Sequence, residues 1–362
     1  MTMKKRIAFA LIAMMLSVGI VFVAILAADL YLHRRAERYA GVNAWGYRGA
    51  RIGGKLAGER RIVVLGGSTA FGFGVTTANA FPAQLESQLR PLSRDGAPIT
   101  VINLGMNSQG AYAFRFDLED YAYLDYDGVI LYEGYNDLGT NRNLLLARRE
   151  SPVFRLTGYY PIFPVFFREK AMSLQHGGDI SAGYSDRKTV FKPGLANQAT
   201  AAALKAAADI GESLEQQLAR LDRSPALNRD GTRVTVAAHG CPPRWADYCT
   251  AQYDAIQYVL GHGKKVLVVT QPYIDERHEE QQAHLRAMLA SELAGTSGGR
   301  YADLGALIDM HGRDKVLFYD AMHANDSGNR LIASYLVRPV AELMSDVFNV
   351  PAANGSRPGS GQ

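Results

Sequence analysis

Five short apolar runs alternate with stretches of helical pattern along this chain, and that alternation limits the fold more than any other feature. The runs are RIVVLG from Arg61, ITVINLG from Ile99, DGVILYEG from Asp127, KKVLVVTQP from Lys264 and RYADLGAL from Arg300. Helical patterns cover Phe81 to Leu89, Ala111 to Leu124, Ala199 to Leu221, Ala251 to Leu260, Glu279 to Leu293 and Ser327 to Val347. Ile62 to Leu65 is β-branched and uninterrupted, as a strand covered on both faces must be. The pattern therefore predicts an α/β protein with a parallel sheet between helices.

In such a sheet, ligands bind beyond the carboxyl ends of the strands. Residues that carry chemistry should follow strands. Gly66 and Gly67 permit a tight turn and close backbone approach after the first run, and Ser68 stands just beyond them. Asn103, Gly105 and Asn107 follow the second run, and Gly134, Asn136 and Asp137 follow the third. Asp320 and His323, in FYDAMHANDSGN, follow the last. A hydroxyl, an imidazole, a carboxylate and hydrogen-bond donors thus converge on one rim. Acyl transfer through a covalent serine intermediate needs that set. Serine is a weak nucleophile until a base takes its proton, and histidine suits that task. A carboxylate fixes the imidazole tautomer and stabilises the imidazolium. The backbone N–H groups of Ser68 and Gly105 and the amide of Asn136 are the expected oxyanion donors, with Gly105 leaving its N–H open to substrate. Asp137 is read as a cap of the turn that follows it.

These residues resemble the motif blocks of the SGNH (GDSL-type) hydrolase superfamily. LGGST is similar to its first block, with Ser68 as nucleophile; INLGMN to its second, with Gly105; GYND to its third, with Asn136; and DAMH to its fifth, with Asp320 and His323. The blocks stand in the family's order over about residues 60 to 345. One departure is visible: Gly67 occupies the place of the acidic residue in the Gly-Asp-Ser form. The resemblance implies a flavodoxin-like three-layer α/β/α fold with a mostly parallel five-stranded sheet. It also implies serine esterase, lipase or acyltransferase activity.

Other features bound this expectation. The uncharged run from Ile7 to Ala28 spans roughly 33 Å as a helix, enough for a bilayer core. We read it as one transmembrane anchor. A cleaved signal peptide is the alternative, but its apolar region is normally shorter, and Leu26-Ala27-Ala28 is a weak cleavage site. Lys4, Lys5 and Arg6 before the run balance Arg34, Arg35 and Arg38 after it, so charge does not set the orientation. Cys241 and Cys249 are either two buried thiols or a local disulfide, which needs an oxidising compartment. The formal net charge of +4 over 362 residues gives no case for nucleic acid. No cysteine–histidine pattern has metal-ligand spacing, and no cofactor is expected.

The expected organisation is an anchor or signal peptide at 1–32, a linker at 33–59, a catalytic domain at 60–348 with an insertion at about 138–192, and a disordered tail at 349–362. The insertion leaves from the rim of the site. Its Tyr159, Tyr160, Phe163, Phe166 and Phe167 are expected in a lid or acyl-binding wall, with local packing or membrane contact as the alternative. NAWGYRG, from Asn43, resembles a segment found upstream in anchored superfamily members, and is expected only to link anchor to domain. Three decoys are set aside. GTSGG, around Ser297, has the letters of a nucleophile elbow but precedes a strand. DERH, ending at His278, opens an amphipathic helix, with Asp275 as its natural N-terminal residue. GGSTAFGFG lacks the Lys-Ser/Thr of a phosphate loop. His239, His262, His284 and His311 have no constellation around them. The expected protein is a serine esterase facing the periplasm or outside, acting on an acyl ester of a glycan, lipid or small molecule. Acyl transfer to a carbohydrate and a non-catalytic anchored binding module are the alternatives, and secretion after signal cleavage is the alternative location.

Overall fold

The computed structural model describes residues 3–39, 41–107, 109–138, 148, 151–175, 198–206, 239–308 and 316–350. The rest of the 138–192 insertion, the helix expected beyond residue 206, His311 and most of the tail lie outside these residues. The chain divides into two compact units, Met1–Gly46 with Arg148–Leu227 and Tyr47–Ala147 with Asn228–Gln362. In chain order the main elements are α1 (Met3–Tyr39), β1 (Arg60–Gly66), α2 (Ser68–Phe71), α3 (Phe81–Leu89), β2 (Ile99–Asn103), α4 (Phe114–Asp120), β3 (Gly128–Tyr132), α5 (Pro152–Thr157), α6 (Phe163–Gln175), α7 (Ala246–Gly261), β4 (Lys265–Thr270), α8 (Glu276–Glu292), β5 (Gly299–Asp303) and α9 (Asp326–Leu343).

The first unit is built on α1. Its stretch Met3–Arg35 is long and apolar enough to cross a membrane, with a mean hydropathy of 2.8 over its most apolar 18 residues. Its apolar side chains from Ile7 to Val23 are exposed. The polar end is different. Asp29 and His33 are each only 2% exposed, because the aromatic segment packs on them. Asp29 Oδ1 accepts from the N–H groups of Ile162 (3.0 Å) and Phe163 (2.5 Å), and Asp29 Oδ2 accepts from the Tyr159 hydroxyl. The carboxylate thus serves the free donors at the start of α6. His33 Nε2 donates to the Tyr160 carbonyl at 2.7 Å.

The second unit carries the sheet. Its five described strands are all parallel, in the order β2-β1-β3-β4-β5. This is the flavodoxin-like order, in which the chain reverses direction between β1 and β3. Alternate side chains serve opposite faces. Ile62, Val64, Ile130, Tyr132, Leu267 and Val269 share a core with Leu85 and Leu89 of α3 and Ile332, Leu336 and Val340 of α9. The intervening Val63, Leu65, Val129, Leu131 and Val268 are equally buried; they face the layer of α4 and α7. Burying each such side chain contributes about 1.5–3 kcal/mol, which explains why these runs are apolar at every position. Cys241 and Cys249 form a disulfide that ties the loop before α7 to its first turn.

Candidate active site

β1 delivers Ser68 directly. Its last residue is Gly66, Gly67 is the N-cap, and Ser68 begins the four-residue α2. Ser68 Oγ lies 2.8 Å from His323 Nε2, and His323 Nδ1 lies 2.8 Å from Asp320 Oδ2. A carboxylate only accepts, so Nδ1 carries the proton and Nε2 is left to accept from the serine hydroxyl. Asp320 Oδ1 also accepts from the N–H groups of Met322 (2.9 Å) and His323 (2.8 Å), closing the loop around the pair. Burial pushes the Asp320 carboxyl up, but these bonds outweigh it and hold it below its ordinary value. The His323 loop is joined to the segment after α2. Phe73 packs on the imidazole with ring centres 4.9 Å apart, and the Tyr319 hydroxyl donates to the Gly74 carbonyl at 3.2 Å.

The oxyanion side departs from expectation at one point. The Gly105 N–H is not open: it donates to Asn103 Oδ1 at 3.0 Å, because the asparagine folds back over its own turn. Gly105 instead serves close packing. A Cβ there would stand 2.5 Å from the Phe71 amide nitrogen. Asn103 Nδ2 donates to the carbonyls of Ala70 (3.0 Å) and Phe71 (3.2 Å), so this residue ties the second strand end to α2. Asn136 Nδ2 donates to the Gln109 carbonyl at 2.9 Å, which uses one of its two hydrogens. The Ser68 N–H, at the first position of a helix, has no partner within that helix.

Four residues hold this arrangement, and sequence reasoning passed over three of them, Arg48, Gln271 and Glu133. Arg48 is buried, and burial lowers its guanidinium to about 10. It donates to the carbonyls of Phe71, Gly72 (2.6 Å) and Val75 (2.5 Å), and its N–H donates to Asn103 O at 3.0 Å. The upstream motif therefore does more than link: its arginine grips the end of α2. Gln271, fully buried beyond β4, donates to Thr69 Oγ1 at 2.8 Å and accepts from the Tyr135 N–H at 3.1 Å. Asn103 is the third. Glu133, only 1% exposed, is the fourth. A carboxylate ending the wholly apolar strand GVILY was its one visible signal. Asp137 does not serve its own turn; its carboxylate accepts from the Ala111 N–H at 3.0 and 3.2 Å.

The remaining expectations fall as follows. Tyr159, Tyr160 and Phe163 contact α1 inside the first unit, Phe163 also packs on Phe167, and Phe167 on Phe166. All of these contacts lie within the first unit. Ser297 lies in the turn before β5, on the rim opposite Ser68. His278 is fully buried in α8, with Asp275 as N-cap accepting its N–H at 2.7 Å, and burial lowers its imidazole to about 4.

Neither a protein-family model nor a curated protein matches the sequence. Solved structures do. The chain is similar to a lipolytic protein of the G-D-S-L family from Veillonella parvula, at 11% identity over 77% of this chain and 96% of that one, with a TM-score of 0.39. It is similar to an acetylxylan esterase from Geobacillus stearothermophilus, at 11% identity over 79% and 94%, with a TM-score of 0.42. It is also similar to a lipase/acylhydrolase from Enterococcus faecalis, at 14% identity over 81% and 100%, with a TM-score of 0.42.

Proposed function

We propose that this chain is a membrane-anchored serine ester hydrolase of the SGNH type, with its catalytic unit outside the cytoplasm. The observation that carries the reading is the continuous relay from Ser68 Oγ through His323 to Asp320, with both contacts at 2.8 Å. In this reading Ser68 Oγ attacks the ester carbonyl carbon while His323 Nε2 takes its proton. The carbonyl oxygen becomes an oxyanion, met by the Ser68 N–H and the second Nδ2 hydrogen of Asn136; Gly105 could join only once Asn103 turned away. His323 returns the proton to the departing alcohol, leaving an acyl-serine. Water, deprotonated by the same imidazole, releases the acid and restores Ser68. The apolar α1 supports the anchor, and the Cys241–Cys249 disulfide supports an oxidising compartment.

The test uses the full chain in detergent with p-nitrophenyl acetate and butyrate, beside Ser68→Ala, with and without a glycan acceptor. Release that depends on Ser68 and needs no acceptor is the expected outcome. Release only with acceptor would make the protein an acyltransferase. No release, and no fluorophosphonate labelling of Ser68, would leave the binding-module reading.

A further inference from the structure

We infer that Glu133 is the positioning residue of the oxyanion side, its carboxylate holding the Gly134–Asn136 turn and the Gly67–Ser68 segment in one arrangement. The inference rests on the esterase reading and deepens it. Glu133 closes β3 and stands between the two strand ends that meet at the reversal of the sheet. Its Oε1 accepts from the N–H groups of Gly134 and Asn136, both at 3.0 Å. Its Oε2 faces the Gly67 N–H and the Asn136 side-chain amide, without a hydrogen bond of normal geometry to either. The two groups fill the space over the nucleophile turn. A Cβ at Gly67 would stand 2.1 Å from Asn136 Nδ2 and 2.5 Å from Glu133 Oε2.

This carboxylate has no lysine or arginine in a salt bridge with it among the described residues. It is surrounded by donors that are all parts of the site or its frame, and the Tyr248 hydroxyl donates to its backbone carbonyl at 2.8 Å. Burial raises its proton affinity above the ordinary value, and the donors from Gly134, Asn136 and Gly67 only partly offset this. A buried, cation-free carboxylate is expensive to keep. An apolar residue would end a strand more favourably. What the carboxylate adds is a fixed point that accepts from the Gly134–Asn136 turn with one oxygen and stands against the Gly67–Ser68 segment with the other. An oxyanion donor acts only if it is held in place before the charge develops.

The test is Glu133→Gln in the full chain, with Glu133→Asp beside it. Glutamine keeps the shape but replaces one acceptor with an NH2 group, which must oppose either the backbone or the Asn136 donors. Each variant is compared with the unchanged protein for Tm, for kcat and KM on p-nitrophenyl acetate, and for the rate of Ser68 labelling by a fluorophosphonate. We expect Glu133→Gln to keep KM within about twofold while kcat and the labelling rate fall roughly ten- to a hundredfold. Glu133→Asp, which retains the charge at shorter reach, should recover part of that loss. An unchanged kcat in a folded Glu133→Gln would overturn this inference alone. So would losses in both variants that follow their Tm with no recovery by aspartate. Failure of the unchanged protein to label or turn over would overturn the esterase reading and this inference with it.

Discussion

At the scale of single residues, the site is a set of atoms with little spare room. Gly67 shows it best: any side chain there meets the Asn136 amide and the Glu133 carboxylate. Gly67→Ala should therefore lower kcat more than a hundredfold, either by turning Asn136 away or by shifting Ser68, and kinetics with Tm on the same sample would check it. Asn136→Ala should lower kcat by about a hundredfold if its amide meets the oxyanion; an unchanged kcat would remove Asn136 from the site. Ser68→Ala should abolish turnover while leaving Tm within a degree or two, because Ser68 is half-buried and its side chain, among the described residues, bonds only to His323. Ser68, Asp320 and His323 were legible in the sequence because reactive residue types stood after apolar runs. Glu133, Gln271 and Arg48 were not. Each gains its meaning from partners far along the chain, such as Thr69 for Gln271, more than two hundred residues away. The closure of Gly105 was also hidden, since nothing in a sequence says which rotamer Asn103 takes.

At the scale of elements, the first four strands were legible to within a residue or two because burial on both faces leaves no freedom of composition, whereas the run RYADLGAL continues four residues past β5, which is only partly buried. Their entry end is held by a buried ion pair that patterning does not reveal. Glu59 and Arg61 are 5% and 3% exposed and meet at 2.9 Å, and Glu59 also accepts from Thr100 Oγ1 at 2.6 Å. Burial alone would raise Glu59; the bonds from Arg61, Thr100 and the Leu56 N–H prevail and bring it from 4.5 to about 2. The folded state thus releases this proton more readily than the unfolded chain does. Its stabilising contribution is whole above pH 4.5 and is lost as pH falls through about 2. Glu59→Gln should lower Tm at pH 7, where it leaves Arg61 without its charge partner, and should flatten the fall of Tm in that acid window. Thermal melts of both proteins across the window decide it: parallel curves would exclude Glu59 from the acid response. The aromatic segment shows the limit of element-level reading. Its composition announced burial but could not name Asp29 and His33 as what it packs on, because those polar residues sit beyond an apolar run that looks like membrane span alone.

At the scale of the whole molecule, two ties can be cut and measured. The disulfide joins cysteines eight positions apart. Closing so short a loop stabilises by about 2–3 kcal/mol on chain-entropy grounds. The double variant Cys241→Ala, Cys249→Ala should lower Tm by roughly 5 °C in oxidising buffer, while reductant should no longer change it. Removing residues 3–35 should move the protein from the detergent-rich to the aqueous phase in a partition assay. Retention in the detergent phase would mean that another surface binds lipid. The parallel sheet has a last consequence, because it separates the two rims of its unit. All of the proposed catalytic residues lie on one rim, while the turn from Ala294 to Ser297 lies on the other, largely exposed, with open space around Gly295. That turn is a splice point. An epitope or a fluorescent reporter grafted there would travel with the protein and read out its whereabouts and assembly, leaving the candidate site untouched.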